Sequence, residues 1–463
     1  MTPQPTAQPV QHQSKRLPGK PWAYLAVIAA IFVVARTELS QQMLSSKASL
    51  FRVPIDFIVY RRGGALVQQG QDVYTGGLVG KLPFTYPPFS AWLFSAFSHV
   101  PAVVGAVLWQ FGAFLLLLII LVAIIAERGY RVSGATVGFA TLLGIASFAL
   151  VPIREGFFFG QINLLLMALV AADVLRSPAN RWRSDIGIAT GIAAGIKLVP
   201  AFFWLVFIVR RQWWALARSV AAFFVTVGIG FLFVKDAGTY WAEKMLDSSR
   251  VGEAINPGAQ SLGVVLERSF HTESKLFWAL GCVLILGVTI AVLWQVHKQD
   301  HRTAELGFAG VALVMVSPFS WMHHWVWVIP VLLCVADQVV TWVPRWWGTL
   351  LAILAVGVCA VPFITRHIAP AMGLWHQVRW PGPLAMGYVL WGMVLLVLAA
   401  VVLWWPVVMA RAHRGGESEP SVTEGERAAA PGSETPDTGT PGTESPKADA
   451  LPADSSGAGP ATS

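Results

Sequence analysis

Charge is scarce in this chain. Only 13% of its 463 residues are charged and 55% are hydrophobic, where ordinary soluble domains carry about a quarter charged. So few ionic groups cannot cover the apolar surface of so long a chain, which excludes an ordinary soluble protein. Cysteine is scarce too. Cys282, Cys334 and Cys359 stand singly in apolar runs with no Cys-x-x-Cys pair, which excludes a zinc or redox framework of that kind and leaves them as small hydrophobes. No Asp-x-Asp pair occurs and no internal repeat is visible.

What is present is apolar length. Mean hydropathy is +0.59, with 21 Trp and 26 Phe, and the cations fall in short loops between apolar spans, the positive-inside pattern of an all-α integral membrane protein. That placement argues against nucleic acid as the partner of the basic body. Lys15, Arg16 and Lys20 precede an apolar run from about 22 to 35 with no good cleavage site after it. We read an uncleaved first helix, a cytoplasmic segment 1–20 and an extracytoplasmic loop over about 36–84. Further spans are expected at about 101–126, 135–152, 160–176, 214–234, 276–296, 304–318, 324–341, 346–364 and 384–410.

The stretch 185–210 is bounded by cations and interrupted at Lys197-Leu198-Val199-Pro200. Each leg has about eleven residues, or roughly 16 Å of helix, against a hydrocarbon core of about 30 Å. It reads as a broken hairpin returning to the cytoplasm, and counting its legs gives about twelve spans with both termini inside. A body over 21–410 is then followed by a tail, 411–463. Nine acidic and two basic residues follow Gly415, among Pro, Gly, Ser and Thr, so that tail is expected to be disordered and cytoplasmic. A segment around Tyr86–Phe97 suits a helix along the outer interface.

On this topology Asp56, Arg154, Glu155, Gln161, Asn163, Lys197, His323 and His324 all approach the outer side. Ionisable groups in a membrane are costly and generally face a cavity or a functional path, so one shared site would explain them together. Each also has an ordinary alternative: a helix cap for Asp56, a snorkelling amine for Lys197, a local ion pair for Arg154 and Glu155. His323 and His324 are adjacent, diverge by about 100° on a helix, and lack the His-x-x-His or His-x-x-x-His spacing that would put both on one metal. Trp321, Trp325 and Trp327 suit an interface belt, although one ring could stack on a sugar.

The stretch IDFIVYRRGGALVQQGQDVY, Ile55–Tyr74, followed by FTYPPFSAWL, Phe84–Leu93, resembles the membrane glycosyltransferases of the GT-C superfamily. Within that superfamily the chain is similar to the bacterial polyprenyl-phosphate-mannose-dependent alpha-mannosyltransferases that build inositol mannosides and lipoglycans. GQINLLLMALV (Gly160–Val170), GIAAGIKLVPAFF (Gly191–Phe203) and SPFSWMHHWVW (Ser317–Trp327) fit the same pattern in order. The resemblance runs to about residue 410 and implies a GT-C-like bundle in the plasma membrane with an extracytoplasmic site. It also implies a polyprenyl-phosphate-mannose donor, a mannosylated lipid or lipoglycan acceptor, and an alpha-1,2 linkage.

The resemblance makes Asp56 the general base, with Asp72 the other matching loop acid. It implies Lys197, His323, His324 and Arg154 at the donor phosphate, and Tyr60, Asp72, Tyr86, Gln161, Asn163, Gln260 and Trp321 at the substrates. Asn256-Pro257-Gly258-Ala259-Gln260-Ser261 departs from the family's Asn-Gln-Ser element by an insertion, and Met322 stands where relatives are often polar. A sugar phosphate already carries a good leaving group, so one carboxylate suffices to deprotonate the attacking hydroxyl. No cofactor is called for, and metal dependence stays open. The same architecture suits another polyprenyl-linked sugar such as arabinose, and a broken hairpin also suits a lipid or solute transporter; a non-catalytic envelope scaffold is a further reading.

Overall fold

Alternating apolar runs and short cationic loops fold almost entirely into helices in the computed structural model, which describes residues 53–176, 185–256, 258–342, 346–371 and 387–416. The expected first span at 22–35, the segment 1–20 and most of the acidic tail lie outside these residues. The helices are α1 (Ile55–Gln68), α2 (Pro88–Phe94), α3 (Ala102–Glu127), α4 (Gly134–Ala146), α5 (Val151–Phe159), α6 (Asn163–Val174) and α7 (Ile188–Ile196). They continue as α8 (Trp204–Val209), α9 (Trp213–Phe233), α10 (Leu262–Phe270), α11 (Lys275–Lys298) and α12 (Arg302–Val316). The last are α13 (Val328–Trp342), α14 (Trp346–Ala371) and α15 (Gly387–Gly416). Short 3-10 turns at Ser95–His99, Val199–Phe203 and Met322–Trp327 join them. Among the described residues pairing between extended segments is limited to two isolated bridges, Val79 with Leu82 and Ala259 with Trp321. Contacts divide the chain between Ala410 and Arg411.

Five described segments are long and apolar enough to cross a membrane: Ala102–Glu127, Trp213–Phe233, Lys275–Lys298, Met322–Thr341 and Gly387–Ala410. The pair Gly134–Ala149 and Val151–Phe159, bent by 86°, makes a sixth if taken as one span. Rows of large apolar side chains on α3, α9 and α11 face outward, Phe111, Leu232 and Leu284 being 66, 78 and 68% exposed. Continuous apolar faces of this size mark contact with another apolar phase, and on helices of spanning length that phase is lipid. The protein is an integral membrane protein. A helix does form in the segment expected to lie along the interface, as α2 with its 3-10 extension. The loop before it holds a 14-residue helix, α1, which the sequence reading admitted only through the alternative of Asp56 as a helix cap.

Two ends of the bundle differ in chemistry. At one, buried ion pairs join the ends of α3, α6, α8, α12 and α13. Arg128 Nε donates to Asp337 Oδ2 at 2.8 Å, Glu127 accepts from the Arg302 amide at 3.1 Å, and Arg210 grips Glu305 while donating to the Val174 carbonyl at 2.9 Å. Arg210 and Glu305 side chains are 3 and 1% exposed, and charges so buried persist only when paired. Helices α3, α6, α12 and α13 run from this end to the other, where α1, α2, the α5–α6 turn and the Met322–Trp327 turn gather.

Helix α7 reaches that second end along α9. A Cβ at Gly191 would fall 2.2 Å from the Ser219 carbonyl, and one at Gly195 2.0 Å from Thr226 Oγ1. Only glycine permits backbones this close, the small-residue packing used between helices in lipid. The helix ends at Ile196, whose carbonyl accepts from Ser90 Oγ at 2.6 Å. Lys197 then turns extended, φ −149° and ψ 131°, and the chain is broken at the residue the sequence singled out.

Candidate active site

Asp56 is the second residue of α1, in the first turn behind the N-cap Pro54. A carboxylate there is favoured by the helix dipole, but Asp56 does not cap the helix. Its Oδ2 instead accepts a hydrogen bond from Gln161 Nε2, 105 residues away. Gly160 makes this meeting possible. At φ 74° it closes α5 in the left-handed region, and a Cβ on it would come within 2.6 Å of Pro54 Cβ. The turn therefore lies directly against the start of α1 and delivers Gln161 to Asp56.

Two residues on, Asn163 opens α6 and is itself buried. Its Nδ2 donates to the His323 carbonyl at 2.9 Å, and its Oδ1 accepts from Lys197 Nζ at 3.3 Å. Lys197 Nζ also lies 3.1 Å from His324 Nε2 and 5.4 Å from the centre of the Tyr86 ring. The Trp321 amide donates to His324 Nδ1 at 3.1 Å. A neutral imidazole that accepts at Nδ1 carries its proton on Nε2. Lys197 and His324 thus put two N–H donors at one point, where an anionic oxygen beside the pair would accept from both. A cleft here is lined by Asn163, Lys197, Pro200, Ser320, His324 and Trp327.

Tyr86 and Tyr60 stand beside this pair. Their hydroxyls are 2.8 Å apart, and Tyr86 Oη donates to Gln161 Oε1 at 3.4 Å. Tyr60 is 1% exposed and meets other tyrosines and Phe94, so the side chain expected at a substrate has its surface occupied by protein.

Of the residues the sequence grouped, Asp56, Gln161, Asn163, Lys197, His323 and His324 come together. His323 is buried against Phe159, ring centres 5.5 Å apart, and against Trp321. Arg154 is buried on α5 and donates to the Phe148 carbonyl at 3.4 Å. Asp72 sits in the loop between α1 and α2 and pairs with Lys235 at 3.2 Å, joining two loops, with no bond to Gln161 among the described residues. Gln260 is buried; its amide donates to the Ser320 carbonyl at 2.5 Å and its carbonyl accepts from Trp325 Nε1 at 3.0 Å. Trp321 Nε1 donates to Val251 at 3.3 Å. Among the described residues no three His, Cys, Asp or Glu side chains group as metal ligands.

Three residues outside the expected set tie the loops around this site together. The Tyr74 amide donates to Asp236 Oδ2 at 2.7 Å, and Tyr74 Oη donates to the Tyr86 carbonyl at 2.7 Å. Arg250 Nη2 donates to the Phe84 carbonyl at 2.6 Å. The only sequence signal for Asp236 is an acid immediately following a long apolar run.

Burial pushes the Asp56 carboxyl from 3.8 up to about 6, against the opposing pull of the Gln161 amide and the Lys197 charge. A carboxylate poised near 6 is a better proton acceptor than an ordinary aspartate and is still ionised at neutral pH. A proton acceptor thus stands on one side of the Gln161–Asn163 segment and a cation with a ring N–H on the other.

Residues 84–318 match glycosyltransferase family 87. That match takes in Tyr86, Gln161, Asn163, Lys197 and Gln260, while Asp56 and the histidine pair flank it. The chain is 32% identical over 405 residues to the polyprenol-phosphate-mannose-dependent alpha-(1-2)-phosphatidylinositol mannoside mannosyltransferase of Mycolicibacterium smegmatis, covering 80% of this chain and 88% of that protein. It is 30% identical over 375 residues to the protein of the same name from Mycobacterium tuberculosis, covering 76 and 85%. A Mycolicibacterium smegmatis enzyme named for phosphatidylinositol pentamannoside is 31% identical over 337 residues, covering 70 and 76%. No solved structure matches the chain. A match across half of the chain and relatives sharing nearly a third of their residues over most of its length have one consequence: the chain belongs to glycosyltransferase family 87.

Proposed function

We propose that this integral membrane glycosyltransferase moves mannose from a polyprenyl-phosphate-mannose donor to a phosphatidylinositol mannoside, forming an alpha-1,2 linkage, with Asp56 as the general base. The reading is supported by the relatives' names and carried by one observation. Gln161 and Asn163 bind, respectively, the carboxylate of Asp56 and the amine of Lys197, so base and cation are set on either side of one three-residue segment.

The acceptor hydroxyl attacks C1 of the mannosyl unit from the face opposite the phosphate, as in inverting sugar transfer. Its proton passes to Asp56. The bond from C1 to the phosphate oxygen breaks, and the electron pair leaves with the polyprenyl phosphate. Lys197 Nζ and His324 Nε2 compensate that charge, and the end of α7 at Lys197 sets the amine within the membrane surface. Arg154 is assigned an indirect role, as its guanidinium is buried behind the α5–α6 turn.

We further assign the reacting end of the bundle to the outer face of the membrane. The end rich in arginine, with Arg128, Arg210 and Arg302, suits the cytoplasmic side by the positive-inside rule. The broken segment at Lys197 then returns as a hairpin, and about twelve spans make a GT-C-like body over 21–410 with cytoplasmic termini.

The test is transfer by purified wild type and Asp56→Asn, given polyprenyl phosphomannose and inositol mannosides of several lengths. Elongation by wild type with near-complete loss in Asp56→Asn, at unchanged folding, is expected. Elongation by Asp56→Asn at the wild-type rate would move the base elsewhere. Failure of well-folded wild type on every mannosyl acceptor, with transfer of another polyprenyl-linked sugar, would overturn the donor assignment. The acceptor chain length that supports turnover separates the two kinds of relative.

A further inference from the structure

The three side chains behind Asp56 can exchange hydrogen bonds in only one direction while Asp56 is ionised. An ionised carboxylate only accepts, so Gln161 meets Asp56 through Nε2 and turns Oε1 to Tyr86. Tyr86 gives its one proton to Gln161 Oε1 at 3.4 Å, which leaves Tyr60 to donate to Tyr86 Oη, 2.8 Å away. With its oxygen engaged, Gln161 can offer only Nε2 to Asp56. A hydroxyl has one proton and an amide has distinct donor and acceptor ends, so each of these bonds holds only while the Gln161 nitrogen faces the carboxylate.

We propose that Gln161 is a positioning residue for Asp56, and that Tyr60 and Tyr86 form a buried relay that locks the Gln161 amide with its nitrogen toward the base. This rests on the assignment of Asp56 as base and extends it by giving two tyrosines and the glutamine a role other than substrate contact. A flipped amide would set Oε1 against the carboxylate oxygen and drive Asp56 to hold a proton. The locked amide does the reverse. It stabilises the ionised form in a buried setting and occupies Oδ2, while Oδ1 has no hydrogen-bond partner among the described residues and is left for the acceptor hydroxyl. The frame around the relay is rigid. Tyr60 stacks on Phe94 at 4.6 Å and meets Tyr86 edge-on at 5.2 Å, and the Tyr86 carbonyl is held by Tyr74.

The charged and titratable neighbours of Asp56 are few. Tyr60 shares its helix, Tyr86 precedes α2, and Lys197 acts from the end of α7. Arg61 and Arg62 turn to the carbonyls of Phe97, Ser98, Val100 and Leu78. His99, on the 3-10 turn packed against α1, pairs with Gln68 at 2.5 Å. On α5, Arg154 bonds the Phe148 carbonyl, and Glu155 is its neighbour. The ionisation of Asp56 is therefore read most directly through Gln161.

The experiment is the pH profile of kcat/KM for mannosyl transfer by wild type, Gln161→Leu, Tyr86→Phe and Tyr60→Phe, with Asp56→Asn alongside. Removing one hydrogen bond from a charged group is expected to raise the acid midpoint by about one pH unit in Gln161→Leu. That lowers the rate about five-fold at pH 6, with recovery toward the wild-type ratio above pH 8. Tyr86→Phe, which keeps the ring and frees the amide to turn, should shift the midpoint in the same direction by less. Tyr60→Phe should shift it least, since Tyr86 keeps its proton for Gln161. KM for acceptor and donor should stay near wild type in all three. An unmoved midpoint together with raised KM in Gln161→Leu and Tyr86→Phe would make them substrate contacts and overturn the relay. If Gln161→Leu is inactive at every pH, the midpoint of Tyr86→Phe decides alone. Full turnover by Asp56→Asn would remove the base assignment, and the relay with it; loss in that variant with an unshifted midpoint in the others removes the relay only.

Discussion

Gln161 donates to Asp56 while Asn163, two residues later, accepts from Lys197. The two amides emerge from one tight turn, between the left-handed Gly160 and the first residue of α6. The carboxylate proposed as base and the cation proposed at the departing phosphate are thus referenced to the same backbone, and a small shift of this turn would displace both. Setting reacting groups on a shared rigid element is how an enzyme holds them in geometry without reordering them at each turnover.

Burial places the Asp56 carboxyl near 6, and the base works only when ionised. Transfer measured as kcat/KM should therefore rise about tenfold per pH unit below 6 and level off above it. Stability runs the other way. The folded carboxyl holds its proton more tightly than the unfolded one, so this group's contribution is fully present below about 4 and is lost as pH rises through about 6. Asp56→Asn, which cannot ionise, should melt at the same or a higher temperature than wild type at pH 7.5, and the difference should vanish near pH 4. Thermal melts in one detergent at the two pH values check the sign.

Lys197 and His324 should divide donor binding unequally. Lys197→Met removes a full charge from a site lined by protein, and about a tenfold to hundredfold loss of affinity for polyprenyl phosphate is expected from one charge-assisted hydrogen bond. Lys197→Arg should recover only part of it, because the bidentate fork does not reproduce a point donor beside Asn163 Oδ1. His324→Gln, which keeps a neutral N–H donor, should lose less than His324→Ala. Inhibition of transfer by polyprenyl phosphate gives the affinities, and KM for the acceptor should stay near wild type throughout.

Much of this was legible in the chain because charges are so rare in it. An apolar sequence makes each ionisable group conspicuous, and Asp56, Gln161, Asn163, Lys197, His323 and His324 do meet. The break at Lys197 was equally readable, since Pro200 ends a leg too short to span. The distinction between touching a substrate and supporting the site was not legible. Tyr60 and Tyr86 sit in family-like motifs, but their burial against Phe94, Phe84 and each other depends on how α1 and α2 cross. Helix α1 entered only as the alternative in which Asp56 is a cap, because its Arg61-Arg62-Gly63-Gly64 centre reads as loop. Gly64 is there because a Cβ would lie 2.5 Å from the Phe94 carbonyl carbon, a contact between segments thirty residues apart that no local pattern contains. Asp236 and Arg250 were overlooked for the same reason, their partners being backbone groups of the first loop.

The contact between α7 and α9 fixes where Lys197 emerges, and it leaves no room for a methyl group. Gly195→Ala would set a Cβ about 2.0 Å from Thr226 Oγ1, which can be relieved only by moving the helices apart. Overpacking of this kind costs about 1–3 kcal/mol, and the shift should weaken donor binding through Lys197 as well. Gly228→Ala, on α9 with open space around it, should be neutral or slightly stabilising. A melt and a donor-binding measurement on the two variants separate a local packing effect from general intolerance of glycine replacement.

Asp72 is the acid that competes with Asp56 for the role of base, and the two have opposite surroundings. Asp72 pairs with Lys235 at 3.2 Å with its side chain 40% exposed, where an ion pair contributes about 0–1 kcal/mol and is screened by salt. Asp56 is held by Gln161 beside Lys197. Asp72→Asn should consequently leave transfer within about twofold of wild type, move the melting temperature little, and make that small change disappear in 0.5 M salt, where the screening length is only a few ångström. Asp56→Asn should reduce transfer by about a hundredfold or more, the usual contribution of a general base, at either ionic strength. A hundredfold loss in Asp72→Asn at both salt concentrations, with native-like melting, would reverse the assignment. The first loop would then have to bring Asp72 to the acceptor hydroxyl, and the bond from Gln161 to Asp56 would be structural.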